Sequence, residues 1–114
     1  MNTVVIDESA LESMESLLGE QFSDTLVFCC AEFERLAAET LNTLGQDLEA
    51  SIRHAHSLKS NASQFGATSL SDVAREIEHS LNNGEQAKAI EASKQLEQQV
   101  SGSKEALTNW LASR

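Results

Sequence analysis

The chain has 114 residues and a net charge of −10, with no proline, five glycines and only 4% aromatic residues. This length suits a single domain over residues 1–114 and is too short for two ordinary ones, and the composition favours helices over strands. The negative charge disfavours nucleic acid and anionic lipid as partners, and no apolar run approaches the roughly 20 residues of a membrane-spanning helix.

Helix-capping residues and apolar periodicity predict five helices. Asp7 can cap a short first helix over residues 8–18, and Gly19 follows its end. A second helix is expected over residues 21–44, where apolar residues recur at helical spacing before Gly45.

The next two helices follow the same rules. Asp47 can cap a third helix over residues 48–65, which a glycine follows. Thr68 or Ser69 can cap a fourth helix that extends to about Leu81. Each carries an apolar stripe that must be buried against other helices.

The final helix is predicted to be continuous over residues 85–112, with Gly102 inside it as a point of bending or fraying. Four long amphipathic helices joined by short loops pack best as an antiparallel up-and-down four-helix bundle. We therefore expect an all-α fold, in which a short additional N-terminal helix covers one end of this bundle. Four such helices can bury their own apolar stripes, so a monomer is expected.

The residues that can carry chemistry lie in the predicted third helix. His56 is next to the apolar stripe, and Lys59 is one turn further on, with Ser60 and Ser63 near the same face. A neutral imidazole is a good nucleophile near neutral pH, and a lysine can offset the charge of an added phosphoryl group. The pattern fits a phosphoryl acceptor, and an ordinary boundary histidine beside a solvated lysine explains the same spacing.

The charge distribution agrees with an anion-accepting patch. No Asp or Glu occurs from residue 50 to residue 71, although the chain holds 18 of them. Arg53 and Lys59 lie inside this window, and Arg75 follows it. An acidic chain has therefore kept one region that can receive an anion.

Other side chains offer weaker alternatives. His54 and His56 lie about 200° apart on a helix and cannot bind one ion together, so no metal site is expected. Cys29 and Cys30 are adjacent and cannot easily bridge, and burial as small apolar residues is favoured over a redox role. No glycine-rich phosphate loop or glycine-flanked nucleophilic serine occurs, so neither kinase nor hydrolase activity is expected.

The run A-H-S-L-K-S at residues 55–60, followed by F-G-A at residues 65–67, resembles the signature of histidine-containing phosphotransfer domains. Members of that family typically read A-H-x-L-K-G-S/A, then a short stretch, then G-A, and they fold as antiparallel four-helix bundles. The resemblance implies that His56 is phosphorylated on Nε2 and that Lys59 screens the phosphoryl group. Ser60 departs from the usual glycine, which narrows access to the histidine without closing it.

The resemblance also implies a residue on the next helix that orients the histidine through Nδ1. By position this residue is Glu78, with Ile77 as its buried neighbour, and a solvated helix residue is the alternative. The surface that docks partner proteins is expected to comprise Arg53, Ser60, Ser63 and Arg75.

The implied function is that of a phosphorelay intermediate. His56 would accept a phosphoryl group from an aspartyl-phosphate of a receiver domain and pass it to another receiver. The partners would be receiver domains of response regulators, a hybrid sensor kinase, or both. Mg²⁺ would belong to the receiver, and the chain would need no cofactor.

Such a protein is a phosphocarrier and not an enzyme in the strict sense. The alternative function is a helical adaptor that binds the same partners and transfers nothing. Since no targeting signal is visible, we expect a cytoplasmic protein. The starting Met1 and the full set of helices favour a free-standing protein over part of a sensor kinase.

Overall fold

The computed structural model describes residues 3–114, which contain helices and no strands, so the predicted all-α class is confirmed. The helices, in chain order, are α1 (Glu8–Leu18), α2 (Phe22–Thr43), α3 (Leu48–Gln64), α4 (Thr68–Asn82), α5 (Gln86–Ser93) and α6 (Leu96–Ala112), with a short 3-10 helix, Gly19–Gln21, between the first two. Helix α3 packs against both α2 and α4, α4 packs against α5, and α6 contacts α2 and α4.

One apolar core lies between these helices. Each of the six α-helices contributes at least one residue with no exposed surface: Leu11, Phe33, Leu58, Ile77, Ala89 and Leu107. Phe22 and Trp110 meet edge-on within this core, with ring centroids 5.8 Å apart. Full burial of a large apolar side chain stabilises the fold by about 1.5–3 kcal/mol. No helix within residues 3–114 is long and apolar enough to span a bilayer.

The starts of α1 and α3 agree with the sequence. The Asp7 carboxylate accepts hydrogen bonds from the backbone N–H groups of Ser9 and Ala10. The Asp47 carboxylate accepts one from the N–H of Ala50. Both predicted caps are therefore confirmed, and the second fixes the helix that carries His56.

The start of α4 differs from the prediction. Ala67 occupies the position before the helix, and no side chain caps the first turn. The N–H of Ser69 donates instead to the carbonyl of Val5, at 3.2 Å. The predicted cap by Thr68 or Ser69 is therefore wrong, because a distant backbone segment satisfies this turn.

The predicted single helix over residues 85–112 is in fact two helices. Helix α5 ends at Ser93 and α6 begins at Leu96, whereas Gly102 lies inside regular α6. The Ser93 hydroxyl donates to the carbonyl of Ile90, at 2.6 Å. Such a bond offers the backbone an alternative to helix continuation, which explains why the break falls here rather than at the glycine.

Candidate functional site

Three predicted site residues meet where α3 packs against α4. His56 and Lys59 lie one turn apart on α3, and Glu78 faces them from α4. Nδ1 of His56 is 2.7 Å from Oε2 of Glu78, and Nζ of Lys59 donates to Oε1 of the same carboxylate, also at 2.7 Å. Glu78 therefore bridges His56 and Lys59.

The bridge has a buried side and an exposed side. The Glu78 side chain is 15% exposed, whereas that of His56 is 58% exposed. Partial burial acts to raise the pKa of Glu78, but hydrogen bonds and charge from Lys59 and His56 outweigh it, so the pKa of this carboxyl lies below its ordinary value. Glu78 is therefore ionised near neutral pH.

An ionised Glu78 selects the tautomer of neutral His56. A carboxylate can only accept hydrogen bonds, so Nδ1 must carry the ring hydrogen and Nε2 must carry the lone pair. The contact at 2.7 Å also fixes the orientation of the ring. The His56 ring is therefore held in one orientation on a largely exposed side chain, and a free lone pair on Nε2 is the arrangement that nucleophilic attack requires.

A polar groove lies beside this bridge, between α3 and α4. Its lining is rich in hydroxyls and comprises Asp7, Lys59, Ser60, Ser63, Gln64, Thr68, Ser71, Asp72 and Arg75. The Ser71 hydroxyl donates to the backbone carbonyl of Lys59, at 3.0 Å, and so joins the two helices at the groove. Three of the four residues predicted for docking thus share one surface.

The two predicted arginines occupy different surroundings. Arg75 is exposed in the groove and pairs with Asp72, one turn earlier on α4, at 2.5 Å. Arg53 is exposed on α3, one turn before His56, and lies outside the groove lining. The structure therefore places Arg75 in the groove and Arg53 apart from it.

Several residues on this side of the molecule were not predicted from the sequence as part of the site. Thr68 and Ser71 line the groove because α4 packs against α3, and Asp7 does so because the segment before α1 is bonded to Gly66. Phe28 on α2 is 65% exposed and lines a second groove together with Gln64. The position of Phe28, an aromatic residue off the apolar stripe of its helix, could have indicated an exposed contact surface. Nothing in the sequence indicated that Asp7, Thr68 and Ser71 line a groove.

The cysteines and the second histidine lie in other settings. Cys29 and Cys30 are buried free thiols, as predicted. Burial raises the pKa of Cys29 to about 12 and raises that of Cys30, so both stay protonated and unreactive. His54 faces Glu39 of α2, at 3.7 Å. Over residues 3–114, no three or more His, Cys, Asp or Glu side chains are arranged to hold a metal ion.

Comparisons with known proteins bear on the family and the fold of the chain. The family model of the Hpt domain matches residues 8–106. The fold is similar to that of histidine-containing phosphotransfer protein B from Pseudomonas aeruginosa PAO1, with a TM-score of 0.87, 22% identity and 96% coverage of each chain. A search of curated proteins found no match to the sequence.

Two plant structures are also similar. The histidine-containing phosphotransfer protein from maize gives a TM-score of 0.79 at 17% identity, over 94% of this chain and 83% of its own. The protein from Medicago truncatula gives 0.73 at 15% identity, over 95% and 80%. At these identities the solved structures establish the fold alone. The family model spans most of the sequence, and the chain therefore belongs to the Hpt domain family.

Proposed function

We propose that this chain is a phosphorelay intermediate, which accepts a phosphoryl group on His56 from the aspartyl-phosphate of a receiver domain and passes it to another receiver. Membership of the Hpt domain family supports a role in histidine phosphotransfer. The observation that carries the assignment to His56 is its bridge through Glu78 to Lys59. No other histidine of residues 3–114 has both a carboxylate and a lysine arranged in this way.

The proposed step begins with the lone pair on Nε2 of His56, which attacks the phosphorus of the aspartyl-phosphate. The new N–P bond forms as the P–O bond to the aspartate breaks, and the aspartate carboxylate leaves. The hydrogen on Nδ1 stays directed at Glu78, whose negative charge offsets the positive charge that the ring acquires. No proton has to depart, and the reverse step delivers the group to a second receiver.

Lys59 has a different task in this proposal. Its ammonium contacts Glu78 before the reaction, and its flexible stem allows Nζ to reach a phosphoryl oxygen. A phosphoryl group carries about two negative charges, against one on the carboxylate. We therefore expect Lys59 to turn toward the phosphoryl group, while Glu78 continues to hold the ring.

The docking surface in this proposal comprises Arg53, Ser60, Ser63 and Arg75. Serine at position 60 is small, so a receiver can bring its phosphorylated aspartate close to His56. A receiver of a response regulator or of a hybrid sensor kinase would also bring the Mg²⁺, so the chain needs no cofactor. In this role the protein is a phosphocarrier, neither a kinase nor a hydrolase.

The proposal takes residues 1–114 as one domain of a cytoplasmic, monomeric protein. It also takes α2, α3, α4 and α6 as an antiparallel up-and-down bundle. Short loops between α2, α3 and α4, and the contacts of α6 with α2 and α4, support that arrangement.

A transfer assay tests the proposal. The chain would be incubated with a set of receiver domains, each carrying a labelled aspartyl-phosphate, beside the variant His56→Gln and the control His54→Gln. We expect wild type and the control to take label that is acid-labile and base-stable, and His56→Gln to take none. Label on His56→Gln would contradict the assignment. Receiver binding that persists without any transfer would favour the adaptor function instead.

A further inference from the structure

Residues 3–7, which precede α1 and form no helix, are here termed the strap, and they connect the start of α4 with α6. The N–H of Val5 donates to the hydroxyl of Ser69, and the N–H of Ser69 donates back to the carbonyl of Val5. The side-chain amide of Gln99 donates to the carbonyl of Thr3, at 3.0 Å. Gln99 is 2% exposed and accepts from the Ser69 hydroxyl, at 2.6 Å. One buried amide and one hydroxyl thus tie the strap to two helices.

Two glycines leave room for the strap. A Cβ built at Gly102 would lie 2.4 Å from Cγ2 of Val4, and one at Gly66 would lie 2.5 Å from the carbonyl oxygen of Asp7. Glycine inside a helix is unfavourable by about 1 kcal/mol relative to alanine. Gly102 therefore lowers the stability of α6 itself. The space that it leaves for the Val4 side chain explains why a glycine lies here.

The strap also reaches the groove beside the proposed phosphorylation site. Its last residue, Asp7, lines that groove together with Lys59. The N–H of Asp7 donates to the carbonyl of Gly66, at 2.7 Å, and its carboxylate is engaged in capping α1. Since both its backbone and its side chain are held, Asp7 is a fixed part of the groove wall.

We propose that the strap is a docking element, which forms one wall of this groove and fixes the first turn of α4 so that a receiver domain meets a preformed surface. A surface that is ordered before binding loses less conformational entropy when the partner arrives. The inference rests on the proposed function and concerns partner binding rather than the transfer step. The hydrogen bonds that hold the strap end on Gly66, Ser69 and Gln99, not on the site residues.

Displacement of the strap tests this inference. Gly102→Leu places a side chain where Val4 lies and at the same time improves the helix propensity of α6. Val4→Gly in the same chain makes room again and serves as the rescue. Asn109→Leu, at an exposed position of α6, is the matched control. Gln99→Leu removes the amide bonds of the strap and is an independent second disruption.

Each variant would be given two phosphoryl donors. A receiver carrying a labelled aspartyl-phosphate must dock, whereas phosphoramidate is a small donor that transfers its phosphoryl group to His56 with release of ammonia and needs no docking surface. We expect Gly102→Leu to raise the receiver concentration for half-maximal transfer by about tenfold, the scale of one good interface contact. Labelling by phosphoramidate should be unchanged. Adding Val4→Gly to Gly102→Leu should return the receiver concentration for half-maximal transfer toward that of wild type.

The outcomes separate this inference from the proposed function. Unchanged half-maximal concentrations in both Gly102→Leu and Gln99→Leu would overturn the inference. If labelling of Gly102→Leu fell equally with the receiver and with phosphoramidate, the inference would also be overturned. The strap would then support the whole fold rather than the groove. A wild-type chain that takes label from no receiver contradicts the proposed function itself, whatever the strap variants do.

Discussion

The Glu78 carboxylate contacts two neighbours, His56 and Lys59, and each contact restricts the position of the side chain that it involves. The oxygen that faces His56 keeps its ring oriented, and the oxygen that faces Lys59 holds the ammonium on the same carboxylate. In Gln at this position one terminal group would be an NH2 donor, so separate acceptor atoms could not face Nδ1 of His56 and Nζ of Lys59 as they do now. At the scale of a residue, the charge of Glu78 therefore matters as much as its shape.

The lowered pKa of Glu78 predicts a dependence of stability on pH. The folded-state pKa lies below the ordinary value of 4.5, so the unfolded chain takes up the proton first as pH falls. The stabilisation that Glu78 provides is thus present above that value and is lost as pH falls through the folded-state pKa. We expect the loss of unfolding free energy in Glu78→Gln to be greatest near neutral pH and to shrink below about pH 4.5.

Urea unfolding near neutral pH and again well below the ordinary carboxyl pKa measures this difference. Glu76→Gln, at an exposed position of the same helix, is the control and should change stability little in either condition. If Glu78→Gln cost the same free energy at both pH values, the carboxylate would not be held by its two neighbours as described.

At the scale of an element, local signals predicted α1 and α3 from the sequence. Asp7 and Asp47 cap the helices that follow them within three residues, and such a contact is visible in the sequence. The spacing of His56 and Lys59 on one helix was visible for the same reason. Glu78 lies 22 residues from His56, and only the family resemblance indicated it.

Contacts between distant segments account for what the sequence did not predict. The first turn of α4 bonds to Val5, which is 64 residues from Ser69. Gly102 was expected to weaken α6, whereas its missing side chain makes room for the strap. Periodicity reports the buried face of a helix, and it carries no information about which distant backbone will lie against that face.

Two glycines of matched backbone allow the strap contact to be measured. Gly66 and Gly84 have φ values of +73° and +72°, but only at Gly66 does a described atom, the Asp7 carbonyl oxygen, lie close to an added Cβ. Gly84→Ala should lower the free energy of unfolding by about 1–2 kcal/mol, because alanine is unfavourable in the left-handed backbone conformation. Gly66→Ala should cost roughly 1–3 kcal/mol more, because the strap must also move.

The unfolding free energies of the two alanine variants, measured in urea, test this pair. Gly84→Ala is the control for the cost of the left-handed backbone. The difference between the two variants in unfolding free energy therefore measures the clash of a Cβ at position 66 with the Asp7 carbonyl oxygen. Equal losses of unfolding free energy would mean that Asp7 does not lie this close to Gly66.

At the scale of the whole molecule, charge repulsion opposes compactness. The chain holds 18 acidic and eight basic residues, and several of its ion pairs join exposed side chains three residues apart. Such pairs contribute little to stability, whereas the excess of negative charge destabilises the folded state.

Salt should therefore stabilise this protein. Raising sodium chloride from about 10 mM to about 200 mM shortens the screening length from roughly 30 Å to below 10 Å and weakens the repulsion. We expect Tm to rise by about 2–4 °C, equivalent to roughly 0.5 kcal/mol. Thermal unfolding followed by circular dichroism measures this change, and a fall in Tm would mean that attractive ion pairs outweigh the repulsion.

The strap also sets the order in which its own contacts can form during synthesis. Thr3 and Gln99 are 96 residues apart, so the strap is translated long before the α6 residue that it bonds. Contacts over such separations form after local ones, because a long loop must close first. A nascent chain can thus pair α3 with α4 early, and the strap is held at both of its ends only after α6 has been translated.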